Sequence, residues 1–379
     1  MPKIAGRGRV PSATIRRLPL AAPAVLGLLV LAGCSSSTSS EASSSVASSS
    51  AGALTAYVTN AQDNGKSPGM GSVIPVTLAD QQPGTPIELG EGAGTNDIMI
   101  TADGRTAYVT NEYTSSVTSI DLASGELGTP ITVGKDPVAI AFVPNTNEQW
   151  AWVANYDGKS VSTVNLATGQ VGSTIAVPHA GPNTVAFTPD GRTCYVANWG
   201  TDDDAGSTVT PIEVTDGGAN GKVLPSIKVG LNPNWIAITN DGSSAYVANK
   251  GSNSLTAIDV ASNTAGAPIE LPGPPIEMEI APDGKLAYVA IAGSKPEVDE
   301  VVPVDLTTSP ATLGPAIKLV AKSQPHWIAF TSDGQTAYVV GNGDSTLTPI
   351  TVATGVPGTP IQVSTDPDSD LLAIALAAS

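Results

Sequence analysis

Residues 106–111 read Thr-Ala-Tyr-Val-Thr-Asn, and variants of this stretch return six times along the chain. The other copies are 55–60 (TAYVTN), 149–155 (QWAWVAN), 193–198 (TCYVAN), 244–249 (SAYVAN), 286–291 (LAYVAI) and 336–341 (TAYVVG). The aromatic position falls at Tyr57, Tyr108, Trp152, Tyr195, Tyr246, Tyr288 and Tyr338, with gaps of 51, 44, 43, 51, 42 and 50 residues. That period is near the one expected of a four-stranded propeller blade. An apolar run precedes each copy, as at 138–142 (VAIAF). An alternating run and a short Pro-containing run follow it, as at 116–121 (SVTSID) and 129–133 (TPITV). Each unit therefore reads as four strands, A to D, with the Tyr copy as strand B.

Turn residues fit that order. Five A-to-B junctions carry Asp-Gly (103–104, 190–191, 241–242, 283–284, 333–334), a pair that tolerates the positive φ of tight hairpins. The sixth, at 144–149, has a different loop. Pro86, Pro130, Pro268 and Pro360 assign strand D to the outer edge, where a missing N–H leaves no ladder partner unpaired. The first B strand has no A strand before it. The chain ends on an A-type run, 370–376 (DLLAIAL), with no B strand after it. Joining the two completes a seventh blade and closes the ring. The expected fold class is all-β: a seven-bladed β-propeller of four-stranded antiparallel blades, closed by the C-terminal strand in the N-terminal blade.

The repeats TAYVTN, CYVAN and AYVAN, preceded by IAFTPDG-like runs, resemble the YVTN-family seven-bladed β-propeller repeat over residues 51–379. That resemblance implies the fold and says almost nothing about activity, because propellers host many unrelated functions. Blades six and seven depart from the pattern at Ile291 and Gly341.

The chain has 379 residues, 17 Lys+Arg against 34 Asp+Glu, and a net charge of −17. So acidic a surface repels phosphate backbones, and nucleic acid is excluded as a general partner. Residues 1–33 carry Lys3, Arg7, Arg9, Arg16 and Arg17, then an apolar run from 18 to 32 that is short for a permanent span. The run ends Leu-Ala-Gly-Cys at 31–34, which resembles the bacterial lipobox. The resemblance implies a signal peptide over 1–33, lipid on Cys34 and anchoring to a bacterial membrane outside the cytoplasm. Residues 34–50 are the lipidated Cys and a Ser-rich tether, and residues 51–379 the propeller. A flexible chain of the tether's length spans about 20–24 Å. Cys194 stands where several sister copies carry Ala, so it is expected to be a small strand residue.

Long insertions after strand B, at 61–71, 199–206 and 292–300, share the disc face that carries the B–C and D–A loops. Insertions gathered on one face mark a recognition face. A shorter C–D expansion near 217–221 lies opposite. Ten of the 16 aromatics fill core positions; Tyr113, Tyr156, Trp199, Trp235 and Trp327 fall in B–C loops or at starts of strand A, and Trp150 elsewhere. Aligning the A strands puts Asn96, Val138, Asn183, Asn234, Ile276 and His326 in one ring around the channel, and Asp97, Ala139, Thr184, Trp235, Glu277 and Trp327 in the next. Amides, carboxylates, a His and indoles at a channel mouth suit a small polar ligand such as a sugar or a peptide end. The expected binding residues are Asn96, Asp97, Asn183, Trp199, Asn234, Trp235, Glu277, His326 and Trp327.

Only His179 and His326 exist, so a three-His metal site is impossible, and neither HExxH nor GxSxG occurs. No cofactor is expected. His326 with Glu277 would be the acid/base pair of an enzyme, a pairing found in propeller lyases and lactonases. Asp202, Asp203, Asp204, Glu297, Asp299 and Glu300 are oxygen-rich, but form no EF-hand loop and read as solvated acid. The functional expectation is a lipid-anchored module binding a small polar ligand or an extracellular protein. The alternatives are a lactonase-like hydrolase or lyase around His326, and a surface-coat protein.

Overall fold

In the computed structural model, the described residues are 54–61, 70–179, 181–201, 205–293 and 299–378. The export segment, Cys34, the tether, Asp202–Asp204, Glu297 and most of the 61–71 insertion lie outside them. The described chain is almost wholly β, seven antiparallel sheets with two short 3-10 turns. None of its helices is long and apolar enough to cross a membrane.

Each sheet runs A-B-C-D. Blade two, for example, orders Thr95–Ile100, Thr106–Asn111, Ser116–Asp121 and Ile131–Thr132. Ring closure is as expected: Leu371–Ala378 pairs antiparallel with Leu54–Asn60, Ala56 opposite Leu376 and Val58 opposite Ile374. In blades one, four, six and seven strand D is broken into two short pairings against strand C. Pro86 and Pro360 fall just before the second segments, and Pro268 sits within the edge strand Thr264–Glu270.

Four of the A–B turns form by one device. Thr101 Oγ1 donates to Asp103 Oδ1 (2.7 Å), which also accepts the Arg105 amide (3.0 Å), and Gly104 takes φ +73°. Thr188 with Asp190, Thr239 with Asp241 and Thr331 with Asp333 repeat it. These hydrogen bonds, from the Thr hydroxyl or from backbone amides, hold the four carboxyls below the usual carboxylate range.

The repeat is itself a packing unit. The B-strand aromatic of one blade meets the A-strand Phe of the next: Tyr108 with Phe142, Trp152 with Phe187 and Tyr288 with Phe330, centroids 5.9, 5.2 and 5.2 Å apart. The motif Asn closes the C strand beside it. Asn155 Nδ2 donates to the Ser160 and Ser162 hydroxyls (3.1 and 3.0 Å), and Asn111, Asn198 and Asn249 do likewise. Blade six has Ile291 there, and Glu300 and Val302 in place of the two hydroxyls, so the departure is matched on both strands. In blade seven, with Gly341, Asp344 Oδ1 accepts the Thr346 hydroxyl instead (2.8 Å). Asn155→Ala is expected to leave two buried hydroxyls without their donor and cost about 1–2 kcal/mol. The check is a lower urea midpoint at unchanged slope.

Cys194 is fully buried and burial pushes its thiol up, so it is an inert core residue, as expected. The 217–221 expansion packs on the neighbouring blade: Trp152 Nε1 donates to Gly218 O (2.8 Å) and Thr163 Oγ1 to Ala219 O (2.8 Å). Its role in the fold is structural.

Candidate functional site

Every A strand that opens with Pro is bulged at its first residues. In blade four Pro182 faces Asn198 while Thr184 faces Ala197, leaving Asn183 as the extra residue. Blades three, five, six and seven repeat this, so Val138, Asn234, Ile276 and His326 are the extra residues there. A bulge re-aims its side chains.

Much of the predicted amide and carboxylate ring is used up by staples between blades. Asp97 is fully buried; its Oδ2 accepts the Ile140 amide of blade three (2.9 Å) and its Oδ1 the Ile98 amide (2.7 Å). Asn183 Nδ2 and Thr184 Oγ1 both donate to Asn234 O (3.0 and 2.6 Å), and Asn234 Nδ2 donates to Ile276 O. Asn96 Nδ2 donates to Glu112 (3.2 Å). Asp97, Asn183 and Asn234 thus hold blades together, which ties up the polar atoms expected to face a ligand.

The indoles expected as stacking faces are placed differently too. Trp235 and Trp327 are 0% and 3% exposed and pack edge to face, centroids 5.0 Å apart. They belong to blades five and seven, so they meet across the inner rim of blade six, where the A strands converge. Two large rings there fill space that the alignment of small repeats left open. Tyr156 is buried as well, with its hydroxyl toward Gly200 O (3.3 Å). Of the five aromatics expected on this face, Trp199 (half-buried) and Tyr113 (exposed) keep accessible rings.

Three of the remaining predicted residues, Trp235, Glu277 and His326, lie on successive A strands. Glu277, from the blade between the two indoles, is fully buried, and neither carboxylate oxygen has a hydrogen-bond partner of good geometry. Its counterpart Asp97 accepts the next blade's amide; Glu277, one methylene longer, faces the equivalent Ile328 amide, whose lowering effect is the smallest of the influences on its carboxyl. Burial first, and the Glu279 charge second, raise its pKa well above the usual carboxylate range. Trp235 Nε1 and His326 Nδ1 are likewise buried without a partner. His326 is half-buried, whereas the other five residues of its ring are at most 3% exposed. Burial and then the charge of Lys250 lower its pKa to about 3, so the imidazole is neutral at physiological pH.

Lys250 was missed by sequence reasoning. It follows the motif Asn249 on the short 3-10 turn Lys250–Ser252, one repeat on from Trp199 at the same position. Its Nζ lies 5.5 Å from the Trp199 ring centroid, a cation–π distance, and burial lowers its ammonium to about 8. The signal was present in the sequence: among residues that directly follow the motif position, Lys250 is the one Lys or Arg.

Asp299 Oδ2 accepts the Gln324 amide (3.2 Å), while its Oδ1 is buried without a partner, and Glu300 pairs with Lys318. Among the described residues no cluster of three His, Cys, Asp or Glu forms a metal site. Two grooves of about 460 and 470 Å³, lined by Asp80–Pro83 with Pro360–Thr365 and by Leu224–Lys228 with Ser262–Ala265, lie at outer blade edges. They do not include the channel group.

No protein-family model matches the chain, and no curated protein does. Solved structures do. A putative 6-phosphogluconolactonase from Bacteroides fragilis is 18% identical over 87% of this chain and 99% of its own, with a TM-score of 0.67. A periplasmic gluconolactonase from Pseudomonas aeruginosa is 17% identical over 86% and 99%, TM-score 0.67. Hydrazine synthase from Kuenenia stuttgartiensis is 21% identical over 76% and 87%, TM-score 0.61. At such identities the likeness is one of fold, and the fold is the seven-bladed β-propeller.

Proposed function

We propose that this chain is an exported propeller of YVTN type, held to a bacterial membrane by lipid on Cys34, that captures a small polar ligand at the B–C/D–A mouth of its channel. One observation carries the ligand site. Glu277, Trp235 and His326, on three successive A strands, each hold a buried polar atom without a partner. Buried polar groups are nearly always satisfied, and a convergent unsatisfied set with perturbed protonation marks a functional site. The uncharged Glu277 carboxyl and the indole N–H would donate to a ligand's oxygens, and the neutral imidazole is available to donate or accept.

A second reading is lactone hydrolysis, favoured by the neighbouring structures described as gluconolactonases. In it water attacks the ring carbonyl, His326 takes the water proton, and the protonated Glu277 gives its proton to the leaving ring oxygen. A His with a pKa near 3 is a weak base. That ranks binding above turnover.

Calorimetric titration of residues 51–379 with sugars, sugar acids and aldonolactones, with lactone opening followed by pH-stat, separates the readings. Saturable binding without turnover, weakened by His326→Ala, is the expected result. Turnover abolished by His326→Ala would establish the second reading. Unaltered ligand affinity in both His326→Ala and Glu277→Gln would remove the channel mouth from consideration.

A further inference from the structure

The cations of the described chain are largely paired or solvated. Lys135 meets Asp157 (3.0 Å), Lys222 meets Glu213 (3.5 Å), Arg192 lies 3.9 Å from Asp190, and Lys318 contacts Glu300. Lys250 differs. It is half-buried, its ammonium lies over the Trp199 ring, and no carboxylate among the described residues pairs with it, although the chain carries twice as many acids as bases. The backbone that places it is fixed: Lys250 N donates to Asn232 O (3.0 Å), and Asn232 Nδ2 donates to Trp199 O (3.1 Å). Its charge acts on His326 of blade seven, so the ammonium belongs to the same mouth. An unpaired, partly desolvated cation is costly in a chain with so many carboxylates to hand.

We propose that Lys250 is the oxyanion-binding residue of the channel mouth, and that the ligand carries a carboxylate or a phosphate which pairs with this ammonium beside the Trp199 ring. The inference rests on the mouth being a ligand site and adds the ligand's charge class. An ammonium lowered to about 8 is still mostly protonated at pH 7, and an arriving anion restores the Coulombic partner that the fold withholds. His326 and the Trp235 N–H would then face the uncharged part of the same molecule. Trp199 covers one side of the ammonium, and the anion would take another.

The test compares D-gluconate, glucose 6-phosphate and inorganic phosphate with uncharged D-glucose by calorimetry on residues 51–379, using the parent, Lys250→Met and Lys250→Arg. Charge-assisted hydrogen bonds contribute about 1.5–3 kcal/mol, so Lys250→Met is expected to weaken the anions about tenfold to a hundredfold, with Lys250→Arg recovering part of the loss. Gluconate alone, glucose 6-phosphate alone, or phosphate itself then identifies which oxyanion is taken. Acylation of Lys250 by acetic anhydride, read by peptide mass mapping, is expected to slow when the bound anion is present. Glucose binding as well as any anion, with Lys250→Met neutral, would overturn the inference and keep the ligand site. Anion binding that persists in Lys250→Met but is lost in His326→Ala would also overturn it. Binding of none of the four compounds to the parent counts against both.

Discussion

Removal of residues 370–379 is expected to abolish cooperative folding of the propeller. Leu371–Ala378 is the innermost strand of blade one although it comes last in the chain, and it pairs along the whole of Leu54–Asn60. Leu371, Leu372 and Ile374 are 0%, 7% and 4% exposed, and burying such a side chain contributes about 2 kcal/mol each. Their sum of about 6 kcal/mol is comparable with the whole stability of an ordinary domain. The loss is greater than that sum. Links between the chain's ends go with the segment, among them Asp370 N to Asn60 Oδ1 and Ala373 N to Thr59 Oγ1 (both 2.9 Å) and Ala61 N to Asp370 O (3.0 Å). The ring then opens and bares the edge of Leu54–Asn60 to solvent. Scanning calorimetry is the check, and a truncated protein melting in the parent's transition would refute closure by this strand.

Replacement of Glu277 is expected to raise stability while removing function. The folded-state pKa of this carboxyl is raised by burial, so the fold holds a proton that the unfolded chain releases near the ordinary Glu value of about 4.3. Stability therefore falls as pH rises above that value, and goes on falling until the folded pKa is passed. Below it both states are protonated and the penalty vanishes. Glu277→Gln keeps the shape and removes the titration, so its advantage over the parent grows from pH 4 to pH 8. Glu277→Met also removes two unpartnered oxygens and is expected to gain about 1–3 kcal/mol at pH 7. The turn aspartates act in the opposite sense. Asp103, Asp190, Asp241 and Asp333 are lowered, so their contribution is present above about pH 4 and lost as pH falls through their folded values. Melting temperatures of parent and variants from pH 4 to 8 separate the two effects. Parent and Glu277→Gln curves that run parallel would show that Glu277 does not titrate in this range. A stabilised variant that no longer binds ligand is the signature of a residue kept for function at the expense of the fold.

The fold was legible because a propeller repeats its solution. Tyr or Trp in strand B, Phe in strand A, Asn at the end of B and Asp-Gly between A and B each meet a partner one strand or one blade away, so the partner recurs at a constant offset. Blade six shows how local that logic is: the loss of Asn at 291 is answered by Val302 on the strand beside it. The channel is different. There side chains from several blades meet around one axis, at separations unrelated to the repeat. Trp235 meets Trp327 over 92 residues of chain, from blades five and seven, a contact no single repeat contains. The same alignment that placed Asp97 and Glu277 at equivalent positions could not tell that the shorter carboxylate bonds its neighbour's amide while the longer one lacks a hydrogen bond of good geometry. Lys250 becomes notable only once folding sets its ammonium over the Trp199 ring. Composition and period determined the seven blades and their closure, since those rest on contacts between repeats. Which polar groups are spent on the fold and which remain for a ligand was decided at the axis, by packing that no single repeat encodes.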